Sequence, residues 1–403
     1  MPLLALVLCH MLNSTGSLPQ SAHWDMRALS QTPRVYEVPD LSVDGVRAIF
    51  YDGLPWKGKP TRVFAYYGAP KLAAGKKAPA MVLVHGGGGS AYIPWVKLWV
   101  SRGYAAIAMD TCGCVSSGGF QSHPRHADGG PPGWDASFTQ IDDGIPDQWP
   151  YHAVADIILA NSLIRSFPEV DAGRIGLTGI SWGGYLVCIA AGVDQRFRFV
   201  APVYGCGFLG ENSAWKDSFP AMGPVKGKEW LGLWDPSVYL PKAKMPMLWV
   251  TGTNDFAYPM DSLQKSYRLP KSARTLCIRV AMPHAHGGPG ENPEEIHAMA
   301  ESLFAGGLSL GKITSQGRRG DQIYVRYSSP RKIAKVELNF TRDRGVWQTR
   351  VWNKLEADAG SKAGEARLLL PKGTTVYYWN VTDESGLVLS SEHVEVPPEP
   401  SSD

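Results

Sequence analysis

From about Gly45 to Leu303 the sequence alternates short, nearly all-apolar runs rich in β-branched residues with stretches whose apolar residues repeat at helical spacing. That alternation commits the chain to a largely parallel sheet with crossover helices, because only strands covered on both faces read as unbroken apolar runs. Six such runs are evident: Ala80 to His85, Tyr104 to Asp110, Arg174 to Thr178, Phe199 to Tyr204, Met247 to Thr251 and Thr275 to Val280. Val154, Ile157, Ile158, Leu163, Ile164 and Phe167 mark one clear crossover helix. Ahead of them, Val46 to Tyr51 and Thr61 to Tyr67 flank the turn-forming Asp52 to Pro60 and read as an antiparallel hairpin at one edge, so eight strands are expected.

After about Gly306 the helical period stops. Short alternating runs follow, Gln322 to Tyr327, Ala334 to Asn339 and Thr375 to Trp379, separated by turn signals, as in a small β-sandwich. The chain therefore divides into a leader or N-terminal arm (1–44), an α/β domain (45–306), a β-sandwich domain (307–398) and a polar tail (399–403). Leu3 to Leu8 followed by small polar residues resembles the end of a secretory leader, although no Lys or Arg precedes Arg27. A secreted or periplasmic location is expected, a cytoplasmic one being the alternative. Sequons at Asn13, Asn339 and Asn380 matter only where the source glycosylates proteins.

Composition narrows the partners. Forty Lys and Arg against 37 Asp and Glu leave a net charge of +3, too balanced for the basic footprint of nucleic-acid binding. No apolar run approaches the roughly 18 residues of a membrane span, so no membrane insertion is expected. Six cysteines in 403 residues are too sparse for a disulfide framework, and Cys188, Cys206 and Cys277 read as small buried hydrophobes. Cys112 and Cys114 with His123 and His126 could in principle supply four zinc ligands. Their spacing fits no zinc pattern and the segment is a Gly/Ser-rich loop, so no metal is assigned.

Chemistry concentrates at Gly179-Ile-Ser181-Trp-Gly183, where a serine sits between a strand and the helical Tyr185 to Ala191, the context of a strained turn that lifts a nucleophile above the sheet. The motif alone is weak, since Gly307-Leu-Ser309-Leu-Gly311 also matches, but Ser309 follows a helix end. A serine hydroxyl needs a base, usually a histidine oriented by a carboxylate, and after this kind of turn both partners come later in the chain. Asp255 lies in the loop after Met247 to Thr251, and Asp261 reads instead as a helix N-cap. Met282-Pro-His284-Ala-His286 follows the last strand. His286, further into the loop and before two glycines, is the preferred base; His284, after Pro283, is the alternative. Fixed oxyanion donors are expected from the backbone N–H groups of Gly87, in His85-Gly-Gly-Gly-Gly89, and of Trp182. Fourteen tryptophans are more than a core of this size needs, and one or two of Trp134, Trp149, Trp215, Phe219, Trp230 and Trp234 are expected to line the cleft as flat platforms for sugar or aryl rings.

Together, His85-Gly-Gly-Gly-Gly89, Gly179-Ile-Ser-Trp-Gly-Gly184, Gly252-Thr-Asn-Asp255-Phe-Ala-Tyr-Pro259 and Met282-Pro-His-Ala-His286 resemble the α/β-hydrolase superfamily. Within it the chain is similar to the bacterial acetylxylan esterase and dienelactone-hydrolase-like group, with an affinity to prolyl-oligopeptidase catalytic domains. The resemblance covers about residues 45–305. It implies an α/β-hydrolase fold with an eight-stranded, mostly parallel sheet and helices on both faces, to which the C-terminal stretch adds an all-β, immunoglobulin-like sandwich. It further implies a serine esterase working through an acyl-enzyme, without cofactor, often on an acetyl group carried by carbohydrate. A serine peptidase similar to prolyl oligopeptidase is the alternative of the same chemistry; such peptidases usually carry a large propeller ahead of the catalytic domain, and only about 45 residues precede the sheet here, which counts against it. Glucuronoyl esterases usually flank the serine with Cys and Arg, where this chain has Ile180 and Trp182. A non-catalytic glycan-binding protein with a vestigial triad is the alternative of another class, against which the intact order Ser, Asp, His argues.

Overall fold

A computed structural model describes residues 23–357 and 364–397. The leader-like stretch, Cys9, Asn13 and the polar tail lie outside the described residues. The large sheet contains β1 (Val35–Glu37), β2 (Arg47–Asp52), β3 (Arg62–Gly68), β4 (Ala78–Val84), β5 (Ala105–Met109), β6 (Val170–Ile180), β7 (Phe199–Val203), β8 (Met247–Gly252) and β9 (Arg274–Arg279). Their order is β1-β2-β3-β5-β4-β6-β7-β8-β9. Pairing is antiparallel from β1 through β3 to β5 and parallel from β5 to β9. The sheet is thus nine-stranded and not eight-stranded. The added strand, β1, is three residues long and lacks a buried side chain, so it carries no apolar run to be read.

β4, β5 and β7 are buried almost throughout, as parallel strands between helical layers must be. The crossover helix Trp149–Ser166 buries Val154, Ile157, Ile158, Leu163 and Ile164 against this core. Residues ahead of the sheet dock as well: Trp24 stacks on Tyr151, with ring centroids 5.3 Å apart, and Ser162 Oγ donates to Leu29 O at 2.6 Å.

The C-terminal part forms two antiparallel sheets. One holds β10 (Lys312–Arg319), β11 (Gln322–Ser328) and β14 (Glu365–Leu369). The other holds β12 (Ile333–Thr341), β13 (Asn353–Ala357), β15 (Val376–Asp383), β16 (Val388–Ser390) and β17 (Val394–Glu395). Alternation decides which face is inside: on β11, Ile323, Val325 and Tyr327 are buried while Gln322 and Ser328 are exposed. These side chains share one core with Val336, Leu338, Phe340 and Trp379. The sequons Asn339 and Asn380 are buried, at 0% and 7% exposure, which leaves no room for a glycan in the folded chain.

The second of these sheets closes the open edge of the large sheet. β9 is an edge strand, and its outward Ile278 N–H donates to Ser390 Oγ at 2.7 Å while Ile278 O accepts from Asn380 Nδ2 at 3.0 Å. Side chains thus satisfy backbone groups that would otherwise template pairing with another chain. Ser390→Ala leaves the buried Ile278 N–H unpaired and is expected to cost about 1–3 kcal/mol, the usual penalty for such a group. Urea unfolding followed by tryptophan fluorescence checks this; an unchanged midpoint would show that the bond contributes nothing.

Candidate active site

β6 runs directly into Ser181, whose backbone is held at φ 58° and ψ −119°, and the helix Trp182–Val193 begins at the next residue. This left-handed conformation is strained for a residue with a side chain. The turn survives because its surroundings fix it: Ser181 N–H donates to Val203 O at 2.9 Å, and Ser181 O accepts from Tyr185 N–H at 2.9 Å. The motif glycines are steric requirements. A Cβ at Gly183 would stand 2.2 Å from Val84 O, and one at Gly179 would stand 2.4 Å from Gly183 O.

Asp255 follows β8 and is buried to 2% exposure. Its Oδ1 accepts from the N–H groups of Ala257 at 2.9 Å and Tyr258 at 2.8 Å, so the carboxylate is oriented by its own loop. Its Oδ2 lies 2.7 Å from His284 Nδ1. The approach depends on Gly252, where a Cβ would meet Met282 O at 2.5 Å; only glycine lets the loop after β9 come this close. The His284 ring stacks on Tyr204 (centroids 4.6 Å, 25° between planes), and Tyr204 hydroxyl donates to Pro283 O at 2.7 Å. Phe256 lies against the same ring at 4.6 Å.

The histidine paired with Asp255 is therefore His284, and the preference for His286 is corrected. Packing of its ring on Tyr204, at the end of β7, is what brings His284 to the carboxylate. Two residues later the chain has reached the Gly86 loop. There His286 Nε2 accepts from Gly86 N–H at 3.0 Å, its ring lies 4.8 Å from Tyr92, and its Nδ1 is 3.8 Å from Glu291 Oε1. Asp261 is not the N-cap of its helix; Pro259 is, and Asp261 sits in the first turn beside Asn212.

Ser181, His284, Gly87 and Trp182 line one cleft of about 610 Å³. A Cβ at Gly87 would meet Trp182 Cδ1 at 2.7 Å, so Gly87 packs against the Trp182 indole. Among the described residues neither the Gly87 nor the Trp182 N–H donates to any acceptor, which leaves both available to a ligand. The aromatic walls are Phe120, Trp134, Trp182, Trp215 and Phe256, and no Lys or Arg is among the lining residues. Phe120 and Phe256 are 65% and 59% exposed, so the rim is apolar and open. Of the six aromatic candidates, Trp134 and Trp215 reach the cleft, whereas Trp149, Trp230 and Trp234 are fully buried and Phe219 nearly so. Trp215 Nε1 donates to Asp135 Oδ1 at 2.8 Å, which sets one carboxylate at the rim.

Sequence reasoning missed Phe120, Gln121 and Asp135. Only the glycines Gly118 and Gly119 signalled a loop able to fold back over Gly88. It also missed a brace from the C-terminal sheets: Asn254 Nδ2 donates to Arg350 O at 2.8 Å and to Gln348 O at 3.1 Å, next to Asp255.

Cys112 and Cys114 serve a turn. Their N–H groups both donate to Asp110 Oδ1, at 2.8 and 2.7 Å. Burial pushes the Cys112 thiol well above its ordinary range and Cys114 up to about 11, which favours thiols over the thiolates a metal needs. Among the described residues no group of three or more His, Cys, Asp or Glu could hold a metal ion, and no helix is long and apolar enough to cross a membrane.

Comparison with known proteins finds similarity to two families and to solved structures. Residues 23–212 match the family model for acetyl xylan esterase (AXE1), and residues 142–304 match that for the prolyl oligopeptidase family. Among solved structures, an acetyl xylan esterase from Paenibacillus sp. R4 is 23% identical with a TM-score of 0.55, covering 69% of this chain and 92% of its own. Acetyl xylan esterase 1 from Thermoanaerobacterium sp. JW/SL YS485 is 21% identical with a TM-score of 0.55, covering 72% of this chain and 96% of its own. At these identities the likeness is one of fold.

Proposed function

We propose that this chain, a member of the α/β-hydrolase superfamily, is a serine esterase that removes acetyl groups from carbohydrate. The observation that carries the reading is the 2.7 Å contact between Asp255 Oδ2 and His284 Nδ1 in the cleft that holds Ser181. With Nδ1–H donated to the carboxylate, His284 Nε2 is left as an acceptor. It takes the proton of Ser181 Oγ as that oxygen attacks the ester carbonyl carbon. The carbonyl oxygen becomes an anion held by the N–H groups of Gly87 and Trp182. Collapse breaks the ester bond, and the departing alkoxide of the sugar takes the proton from His284. Water then attacks the acetyl-serine, giving its proton to His284; acetate leaves and Ser181 Oγ is reprotonated. No step needs a cofactor.

The family match over residues 23–212 supports an acetyl ester. The tryptophan walls support a carbohydrate alcohol, since indole faces suit the apolar faces of sugar rings. A polymer outside the cell is in keeping with the exported location expected from the leader-like stretch. Acetate release from acetylated xylan, compared between wild type and Ser181→Ala, tests the proposal. Release by the wild type and none by the variant is expected. No release by an enzyme whose Ser181 still reacts with a fluorophosphonate would mean that the substrate class is wrong, and peptides would then be tried, given the match over residues 142–304.

A further inference from the structure

We propose that His286 is a positioning residue that latches the oxyanion loop. The inference rests on the reading of Ser181 as nucleophile and Gly87 as oxyanion donor. Gly86 and Gly87 carry no side chain to anchor them, yet an oxyanion donor must be fixed before the reaction to be effective. Both ends of Gly86 are held by imidazoles. Its N–H donates to His286 Nε2 at 3.0 Å, and its carbonyl oxygen faces His85 Nδ1 at 2.8 Å. His85 Nε2 accepts from Thr111 N–H at 3.0 Å, so the proton of that ring is on Nδ1 and is donated to Gly86 O. Burial lowers the His85 pKa below the ordinary histidine range, in keeping with this neutral form.

A trans peptide points its N–H opposite to its C=O. Holding Gly86 O toward His85 therefore aims the Gly87 N–H away from His85, and Gly87 is part of the cleft wall. His286 fixes the preceding peptide and so removes the remaining rotation about Gly86. A Cβ at Gly86 would stand 2.9 Å from His286 Nε2 and 3.0 Å from Ser181 Cβ, so latch, loop and nucleophile are packed together. His286 accepts through Nε2 and therefore carries its proton on Nδ1, which faces Glu291 Oε1 at 3.8 Å. Its ring is kept in place by Tyr92 at 4.8 Å. Two histidines two residues apart thus serve the two halves of one reaction centre: His284 the proton, His286 the donor loop.

The test uses the full chain with His286→Leu, which fills the space of the ring but cannot accept, and His286→Gln, whose Oε1 can. Rates on p-nitrophenyl acetate, inhibition by phenylboronic acid as a tetrahedral oxyanion mimic, and melting temperature are read together. Losing a fixed oxyanion donor costs about 10²–10³ in kcat, and a loosened one is expected to cost about 10–10². The leucine variant should show that loss in kcat with KM within about twofold, a matching loss in boronate affinity, and recovery in the glutamine variant. Should leucine lower the melting temperature, His286→Ala takes its place. A kcat within about threefold of wild type, or equal kcat in the leucine and glutamine variants, overturns the latch. If His286→Leu is as inactive as Ser181→Ala while His284→Ala still turns over, the assignment of the base fails instead.

Discussion

His284→Ala is expected to lower kcat on p-nitrophenyl acetate by about 10⁵–10⁶, as loss of the base or the nucleophile does in serine hydrolases of this kind. The effect is large because the proposed mechanism gives the serine hydroxyl His284 as its base. Asp255 is already an acceptor committed to Ala257 and Tyr258 N–H, and His286 Nε2 is engaged by Gly86 N–H. Ser181→Ala should be equally inactive, and the double variant no worse than either, because the two residues act as one unit. Stopped-flow and steady-state rates on the three variants check this. Additive losses would show that the two side chains act independently. The fold should persist in both single variants, since the Ser181 turn is held by backbone bonds to Val203 and Tyr185 rather than by its hydroxyl.

Asp255→Asn is expected to lower kcat by about 10⁴ with little change in melting temperature. Asparagine can keep the Oδ1 bonds from Ala257 and Tyr258, so the loop retains its shape. Its amide then presents N–H where Oδ2 had accepted from His284 Nδ1, 2.7 Å away. The ring responds by placing its proton on Nε2, and the nitrogen proposed to take the serine proton becomes a donor instead of a base. Asp255→Ala also removes the acceptor for two buried N–H groups and should lower the melting temperature as well. Comparing the two variants by rate and by thermal unfolding separates orientation of the base from support of the loop. Equal activity in Asp255→Asn and wild type would remove Asp255 from the account.

Much of this arrangement can be read from the chain. The parallel strands are legible because burial on both faces leaves unbroken apolar runs, as in β4, β5 and β7. Ser181 is legible because a strand, two spaced glycines and a helix must succeed one another for the turn to form. The choice between His284 and His286 is not local. Both lie in the loop after β9, and what separates them is the position of Asp255 on one side and of Gly86 on the other, 29 and 200 residues away in sequence. The strand β1 escapes for a related reason: its three residues gain their pairing from β2 and not from any pattern of their own. Nor does any local signal foretell that Asn254 binds the carbonyls of Gln348 and Arg350, which ties the acid loop to the C-terminal sheets. Sequence periodicity reports burial and turn chemistry; it carries no record of which distant loops meet.

The central claim is that Ser181 takes up the acyl group of the ester. It is tested most directly by quenching the enzyme in acid during turnover of p-nitrophenyl acetate and mapping the modified peptide by mass spectrometry. The account predicts one acetyl group on Ser181, absent from Ser181→Ala, with a burst of p-nitrophenol matching the amount of enzyme. An acetyl group on another residue, or undiminished turnover by Ser181→Ala, would contradict it.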